Sequence, residues 1–407
     1  MSFEMNFYKR NIEYESVKKI TYRPTYNDKN NLSFSIKGDK HFAQLSDAIL
    51  DLEFSIKEEF TLDNLALDKM FDSIEIILGK DTITRRSITN EYVWNSFFYN
   101  KSNFDVSKKN PLRIQGWFDN ANLNTTGLKS ATDIVKYRSF LHDRENGIKT
   151  FRLIGPLCSP ICHQYQPLPS NMPITINLKR SSPKLPLVYV GDPSSSSDLT
   201  PSFTYEENIQ LDNATLTVPF VFSSKLDKTH NYFNTPLVYP IYDYVSKVQS
   251  ISAGVTEVHF NLTSGGELPE KFFGGFIDPT NYHGSFSHSV TNFSRHKVNK
   301  FEVLLDEQVL PGMPITCGEE LCSRSYVHWL QMTNQWQNPL STVTLSLDEF
   351  ENSNFMHCYD LADISEETGW LSLRFSFEEQ IRNLVFVAFL IYPKTLTIDK
   401  DRNANIN

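Results

Sequence analysis

Apolar and polar residues alternate in short runs along almost the whole of this 407-residue chain. Residues 50–57 (LDLEFSIK) and residues 371–377 (LSLRFSF) each place an apolar side chain at every second position. Because successive side chains of a β-strand point to opposite faces of a sheet, such a run predicts a strand with one face in a core and the other in solvent. Similar runs occupy residues 74–78, 174–178, 214–222, 258–262, 301–305 and 343–347.

Three further stretches complete the predicted secondary structure. Leu384–Tyr392 is apolar throughout, which predicts a strand covered on both faces. Ile88–Tyr99, with a cap at Thr89 or Asn90, and Ser323–Asn334 are predicted to be helices. Many short strands separated by turns rich in Pro, Asn, Ser and Gly favour an antiparallel sandwich or a jelly roll.

The two halves of the chain repeat one pattern, which indicates an internal duplication. Residues 71–79 (FDSIEIILG) resemble residues 300–306 (KFEVLLD), since both contain an aromatic residue, alternating aliphatic residues around a Glu, and then a turn. In each half an alternating strand then precedes a densely apolar one, within residues 174–222 and 371–391. Two similar sandwiches in tandem are therefore predicted.

A polar linking stretch places the boundary between these sandwiches near Leu226. The predicted domains are an N-terminal jelly roll of residues 1–226 and a C-terminal jelly roll of residues 227–407. The long segments Ser87–Ser130 and Ser182–Asn208 are predicted to be exposed loops or arms, because they lie between strands.

The charge of the chain argues against direct contact with a genome. The formal net charge is −9, and basic residues form only short pairs such as Lys108-Lys109. Non-specific binding to nucleic acid needs clustered cations that displace counterions, so no direct nucleic-acid binding is expected. No secretory signal is expected either, since the first ten residues include Glu4, Lys9 and Arg10. No apolar run reaches the length needed to span a bilayer.

Five cysteines are an odd number, and reduced thiols are expected in a chain without a secretory signal. The alternative is a zinc site that uses Cys158, Cys162 and His163 together with Cys317 and Cys322. Their spacings differ from the close Cys-x2-Cys pairs of common zinc sites. No metal and no cofactor is therefore predicted.

Histidines on one loop suggest an enzyme hypothesis. Asp278, His283, His288 and His296, with His259 nearby in sequence, could bind a metal or serve as acid and base. Their spacings match no common ligand motif, and loop histidines without such a role are the alternative.

Adjacent acids suggest a second enzyme hypothesis, glycoside hydrolysis on a β-sandwich. The pairs lie at residues 319–320, 366–367 and 378–379. Adjacent side chains on a strand point to opposite faces, so such pairs are poorly placed to act on one substrate. Because the sequence also contains no G-x-S-x-G, P-loop or G-x-G-x-x-G motif, no enzyme activity is predicted.

Residues 151–181 (FRLIGPLCSPICHQYQPLPSNMPITINLKRS) contain a strand, a GPL turn, a Pro-rich loop and a strand that ends in L-x-R-S. This stretch resembles the signature region of double jelly-roll major capsid proteins, in the branch found in polinton/Maverick elements, adintoviruses and their large-DNA-virus relatives. The acidic residue that usually follows GPL-x-S is absent, since Pro160 follows Ser159. The residues that fit the pattern are Phe151, Gly155, Pro156, Leu157, Gln164, Leu178, Arg180 and Ser181.

The second half is similar to the same family at several points. Residues 268–278, which contain an L-P pair and then F-I-D, resemble one of its elements, and residues 292–305 resemble its N-F run and the following strand. Residues 398–403 (IDKDRN) resemble its I-D-x-x-R-N-like tail. The individual residues that fit are Asp278, Asn292, Phe293, Arg402 and Asn403.

The resemblance implies an all-β chain of two tandem eight-stranded antiparallel jelly rolls, with a few short helices in loops. Three chains would form a pseudo-hexameric homotrimer, and trimers would build the icosahedral shell of a double-stranded DNA virus or virus-like element. The implied partners are other copies, neighbouring capsomers and a penton or minor capsid protein. The implied location is the virion capsid, assembled inside the host cell.

Two other functions stay open at the level of sequence. One is a carbohydrate-binding or hydrolytic β-sandwich protein, and the other is a minor capsid protein or a relative that no longer assembles. Aromatic stretches at residues 94–99, 232–233, 272–273 and 282–286 could bind carbohydrate, form subunit contacts or lie in the core. The family resemblance favours subunit contacts.

Overall fold

A computed structural model describes most of the chain. The described residues are 15–38, 40–57, 60–84, 88–102, 114–116, 142–145, 148–169, 171–189, 209–224, 236–286, 288–318, 322–333, 335–336, 345–364 and 368–406. They form two β-sandwiches that follow each other in the sequence, and the strands pair antiparallel throughout the named sheets.

The first sandwich lies between residues 16 and 222. Its strands are β1 (Ser16–Tyr22), β2 (Tyr26–Asn27), β3 (Asn31–Ile36), β4 (Phe42–Ala43), β5 (Ile49–Lys57), β6 (Phe60–Leu62), β7 (Phe71–Leu78), β8 (Asp81–Thr82), β9 (His142–Glu145), β10 (Ile148–Pro156), β11 (Ile174–Arg180), β12 (Leu187–Tyr189) and β13 (Ile209–Phe222). One sheet has the order β1-β13-β5-β10-β9, with β4 also beside β13, and the facing sheet has the order β2-β3-β11-β7-β8. β6 and β12 pair with each other.

The second sandwich lies between residues 237 and 406. Its strands are β14 (Leu237–Ile251), β15 (Glu257–Asn261), β16 (Lys271–Ile277), β17 (Val298–Leu305), β18 (Gln308–Val309), β19 (Ile315–Thr316), β20 (His357–Asp360), β21 (Leu371–Phe377), β22 (Leu384–Ile398) and β23 (Ala404–Ile406). Its sheets have the orders β14-β22-β16-β20 and β15-β21-β17-β18. β23 pairs with β22, and β19 pairs with β17.

Both sandwiches share one strand order. When the eight main strands of each are lettered B to I along the chain, each sandwich consists of a B-I-D-G sheet and a C-H-E-F sheet. This is the arrangement of a jelly roll, so the predicted fold class is confirmed. The predicted internal repeat is confirmed as well, because residues 71–78 and 298–305 are the two E strands.

Short helices lie in the connections. They are α1 (Ala66–Lys69), α2 (Glu91–Ser102), α3 (Pro160–His163), α4 (Pro279–Tyr282), α5 (Ser323–Met332) and α6 (Leu347–Ser353), with 3-10 turns at Leu45–Asp47 and Ala362–Ile364. The helices predicted over residues 88–99 and 323–334 are confirmed as α2 and α5, shifted by a few residues.

The strand predicted over residues 343–347 is wrong in its described part, because a helix begins at Leu347. Ser346 and Glu349 form a capping box, in which the Ser346 hydroxyl accepts the Glu349 N–H and the Glu349 carboxylate accepts the Ser346 N–H. The Ser-x-x-Glu spacing was the available sequence signal for this helix.

Strand alternation gives the first core as predicted. The alternating apolar residues of β5 from Leu50 to Ile56 are almost fully buried, whereas the residues between them are half-buried on the opposite face. β22 is buried on both sides over its first eight residues, also as predicted. Phe386 contacts Phe375 of the facing sheet at 5.2 Å, and Phe389 contacts Phe98 of α2 at 5.1 Å. A helix on the outer face therefore explains an unbroken apolar strand in an antiparallel sheet.

Candidate functional site

The first signature residues hold β10 in the core of the first sandwich. Phe151 is fully buried and stacks on Phe54 of the neighbouring strand, with ring centroids 5.9 Å apart. At Gly155 a Cβ atom would lie 2.6 Å from side-chain atoms of both Leu67 and Gln115. A larger residue here would therefore force the Leu67 and Gln115 side chains to move where β10 passes beneath α1.

The turn after β10 is fixed by burial and by one side chain. Pro156 ends the strand at an exposed position, whereas Leu157 and, on β11, Leu178 are buried. Gln164 closes the loop locally, since its Oε1 accepts the Gln166 N–H and its Nε2 donates to the Gln166 carbonyl, both at 2.7 Å. Loop geometry is therefore set by hydrogen bonds within this segment.

Arg180 and Ser181 attach the end of β11 to neighbouring segments. The Arg180 guanidinium donates to Asn27 Oδ1 at 2.6 Å. The Ser181 N–H donates to the Met70 carbonyl at 3.0 Å, and its hydroxyl donates to the Lys69 carbonyl. The Ser181 hydrogen bonds therefore attach the end of the signature region to the segment that contains α1.

A buried ion pair links that segment to the second sandwich. Lys69 is fully buried, and its Nζ donates to Asp63 Oδ2 at 2.7 Å, to Ser289 Oγ at 2.9 Å and to Thr291 Oγ1 at 3.3 Å. Ser289 Oγ lies 3.0 Å from the same Asp63 oxygen. Because a buried charge is costly without partners, these hydrogen bonds fix how the two halves meet.

Helix α2 forms the apolar part of the junction. Phe98 stacks on Phe389 of β22, and Phe97 and Trp94 contact Phe293 at 5.4 and 5.9 Å. Phe293, one of the family-like residues, is fully buried at this contact. The junction is therefore a shared core rather than a solvated linker.

Two sequence predictions need correction at this helix. Residues 91–102 are not an exposed loop, because they form α2 between the sandwiches. Residues 87, 103–113 and 117–130 of the predicted loop are outside the described residues. Aromatic residues 94–98 are core residues, not subunit contacts. Residues 272–273 are also buried, and residues 232–233 lie outside the described residues.

Asn90 directly precedes α2. Its φ of 58° is left-handed, so it does not adopt the extended conformation of an ordinary N-cap. Its backbone N–H donates to Asp72 Oδ1 at 2.6 Å, and its side chain donates to the Tyr282 carbonyl at 3.3 Å. Asn90 therefore ties the start of the helix to both halves.

The C-terminal family-like residues form a tight turn. Asp399 accepts hydrogen bonds from the N–H groups of Asp401 and Asn403 and from the Asn403 side chain, at 2.8 to 2.9 Å. The Asn403 side-chain hydrogen bond lowers the pKa of Asp399, and Arg402 takes a left-handed φ of 66°. The turn returns the chain to β23, where the Ala404 N–H donates to Asp81 Oδ2 of the first sandwich at 2.7 Å.

The histidine hypothesis receives no geometric support. Asp278 accepts a hydrogen bond from Arg382 at 3.0 Å. Burial lowers the pKa of His296 to about 4, so its imidazole is neutral at pH 7. Among the described residues, no group of three or more His, Cys, Asp or Glu side chains could hold a metal ion. Asn292, which was identified as a family-like residue and not as part of the histidine group, is buried beside Phe293.

The acid pair at residues 378–379 lies within the described residues, and each of its carboxylates pairs with a different basic side chain. Glu378 lies 3.0 Å from Arg295, and Glu379 lies 2.7 Å from Lys297. The pairs at residues 319–320 and 366–367 lie outside the described residues. The described pair therefore lacks the facing geometry that glycoside hydrolysis needs.

The cysteines correct one prediction. Cys317 and Cys322 form a disulfide, so reduced thiols are not found at this pair. Their Cα atoms lie 4.4 Å apart, within the range that a disulfide requires. Cys158, Cys162 and Cys358 are buried free thiols, and burial raises the pKa of Cys162 to about 12.

Among the described helices, none is long and apolar enough to cross a membrane.

No protein-family model and no curated protein matches the sequence. Solved viral structures match the fold over almost the whole chain. A chain of the Sputnik virophage aligns with a TM-score of 0.65 at 11% identity, over 97% of this chain and 89% of that one. The PBCV-1 virus capsid gives 0.60 at 12% identity over 97% of both chains, and the mavirus major capsid protein gives 0.57 at 10% identity over 98% and 93%.

This chain has the double jelly-roll fold of viral capsid proteins. The fold is shared at identities far below the level at which sequence comparison succeeds, because burial pattern and strand order are retained while individual side chains differ. Lys69 and its partners were missed by sequence reasoning, since no local pattern marks a lysine that is buried by a segment more than two hundred residues away.

Proposed function

We propose that this chain is a major capsid protein that assembles as pseudo-hexameric homotrimers into the icosahedral shell of a double-stranded DNA virus or virus-like element. The observation that carries the proposal is the repeated B-I-D-G and C-H-E-F order in two joined sandwiches. Three such chains supply six similar sides, and a ring with six similar sides tiles a flat facet with nearly equivalent contacts.

The finer parts of the proposal follow from the polar linking stretch, which gives the domain boundary, and from the family resemblance. The domain division is placed near residue 226, and the thirteen signature residues are assigned structural roles in the polinton and adintovirus branch. Partners are other copies of the chain and a penton or minor capsid protein, and the location is the virion capsid. The role is mechanical and not enzymatic, and the negative charge supports genome contact through another protein.

Light scattering after size exclusion tests this function. The proposal predicts a stable species of three times the 47.0 kDa chain mass. A matched test adds double-stranded DNA at low salt, where no complex is expected. A species that stays monomeric at all concentrations would contradict the capsid role.

A carbohydrate-active sandwich is the second candidate, supported by one observation. A cleft of about 330 Å³ at the junction is lined by residues that include Glu91, Asp243 and Tyr244. Glycan binding that is lost in Asp243→Asn, by a monomeric protein, would favour this candidate over assembly.

A further inference from the structure

Helices α2 and α5 lie in the same connection of the two sandwiches, although α2 packs on β7 of its own sandwich and α5 packs on β20. Each follows the F strand and precedes the G strand, so the internal repeat makes them counterparts. α2 contacts β7 of its own sandwich and β14 and β22 of the second. From Glu91 to Asn100 no residue of α2 is exposed, because the helix has a sandwich on each side.

Among the described residues, helix α5 packs on one sandwich only. Trp329 is fully buried and packs on Phe273 of β16 at 5.5 Å. The opposite side carries residues at spacings of three and four, which share one face of a helix. This α5 face consists of Arg324, Val327, His328 and Gln331, which are exposed or half-exposed, and of Trp336 just beyond the helix, which is 49% exposed.

The surface that α2 covers in the second sandwich has a counterpart in the first sandwich that no described helix covers. In the second sandwich, Phe273 and Phe389 on the outer side of the B-I-D-G sheet contact Phe98 of α2. In the first sandwich, most side chains on the outer side of the corresponding sheet are exposed or half-exposed, whereas Pro219 and Val221 of β13 on the same side are buried. This β1–β13–β5 face consists of Val17, Lys19, Thr21, Asp51, Glu53, Thr215 and Thr217.

We propose that the α5 face of one copy packs on the β1–β13–β5 face of a second copy. The inference rests on the proposed function and names the surfaces of the contact between copies. Among the described residues, α5 is a helix between F and G strands that packs on one sandwich alone, and the B-I-D-G sheet of the first sandwich has no helix on its outer side. A second copy would supply the partner that each of them lacks. Arg324 on the helix and Glu53 on the sheet have opposite charges. The sheet face also contains Lys19, and its Asp51 is paired with Arg152 at 2.6 Å.

The contact would join different surfaces, so it is heterologous and repeats from copy to copy until a ring closes. Within the chain the same pair of elements, a helix between F and G and a B-I-D-G sheet, is joined at the α2 junction. Three copies would then alternate three junctions within chains with three junctions between chains.

Matched substitutions test the proposal. Val327→Arg on the α5 face and Thr217→Arg on the β1–β13–β5 face should each weaken assembly by roughly tenfold or more, because a cation would be placed inside a packed contact. Val309→Arg is the control, since Val309 is 43% exposed on β18, outside both faces. Light scattering against concentration measures the trimer, and circular dichroism with thermal unfolding checks that each variant is folded.

Trp336→Ala keeps the test decisive if an arginine variant fails to fold, because it only removes an exposed side chain. Cross-linking gives a second readout: Thr217→Cys combined with Gln331→Cys should give covalent oligomers under a short bis-maleimide, whereas either single variant should not. A wild-type trimer that persists in all three disrupting variants and does not cross-link would overturn this inference while leaving the capsid role intact. A monomeric wild type would overturn the capsid role itself.

Discussion

Phe98 of α2 stacks on Phe389 of β22, with ring centroids 5.1 Å apart and ring planes 14° from parallel. The two residues belong to different sandwiches, so the core of the second half is completed by a helix of the first. This contact explains why the outer side chains of β22 are apolar. It also makes the two sandwiches one packed unit at the junction.

Phe98→Ala should lower the free energy of unfolding by about 3–5 kcal/mol, because it removes a fully packed ring and leaves a cavity. Urea unfolding followed by tryptophan fluorescence measures the change. Phe98→Leu keeps most of the volume and should cost less than half as much. Equal costs in the two variants would mean that packing at this position does not hold the junction.

Lys69→Met should cost about 3–5 kcal/mol, because it leaves Asp63 buried without its cation. The double variant Asp63→Leu with Lys69→Met removes both charges and should recover much of that loss. The free energies of unfolding of the two variants and the wild type form the comparison. A double variant that is as unstable as the single one would contradict the role of charge pairing here.

Asp68 should make the fold less stable as pH rises. The carboxyl is buried where α1 meets α2, hydrogen-bonded to Ser96, and burial raises its pKa from 3.8 to about 7. The folded chain therefore keeps a proton that the unfolded chain releases. The contribution of the protonated Asp68 carboxyl to the free energy of unfolding is fully present below pH 3.8 and is lost as pH rises towards 7. It amounts to about 4 kcal/mol in total.

Asp68→Asn isolates this effect, since the amide has nearly the same shape and does not titrate. The stability difference between variant and wild type should grow in favour of the variant from pH 5 to pH 8, at about 1.4 kcal/mol per pH unit below pH 7. A difference that is independent of pH would contradict a raised pKa at Asp68.

His357 should make the fold less stable as pH falls, which is opposite to the effect of Asp68. Burial lowers its pKa from 6.5 to about 3, and neither ring nitrogen has a hydrogen-bond partner among the described residues. The ring packs on Phe301 and Phe375 at 4.7 and 4.8 Å. The stability that the neutral ring contributes above pH 6.5 is lost as pH falls, on the order of 3 kcal/mol by about pH 4.

His357→Phe should therefore reduce the loss of thermal stability between pH 7 and pH 4, because phenylalanine fills the site without a titrating group. Differential scanning calorimetry at both pH values measures the two shifts in Tm. If the variant and the wild type lose the same Tm on acidification, proton uptake by His357 does not limit acid stability.

Strand positions were predictable because burial of one face of a strand requires an apolar residue at every second position. β5, β11 and β21 follow that rule, and the resemblance of residues 71–79 to residues 300–306 identified the two E strands. The family-like turn at residues 155–157 was also recognisable, and a Cβ atom at Gly155 would lie 2.6 Å from the Leu67 and Gln115 side chains.

The junction was not predictable from local pattern. The aromatic residues of α2 have helical spacing, but the sequence does not say that their partners are Phe293 and Phe389 in the other half. The sequence around Lys69 is that of an ordinary surface lysine, and the Cys317–Cys322 disulfide depends on a distance between two cysteines that only the fold supplies. Contacts between distant segments carry no local signature.

Electron microscopy of the purified chain in negative stain tests the capsid role most directly. The account predicts particles of one size with a pseudo-hexagonal outline and threefold symmetry, each built from six lobes. Particles with two lobes that never associate, at the highest soluble concentration, would contradict it.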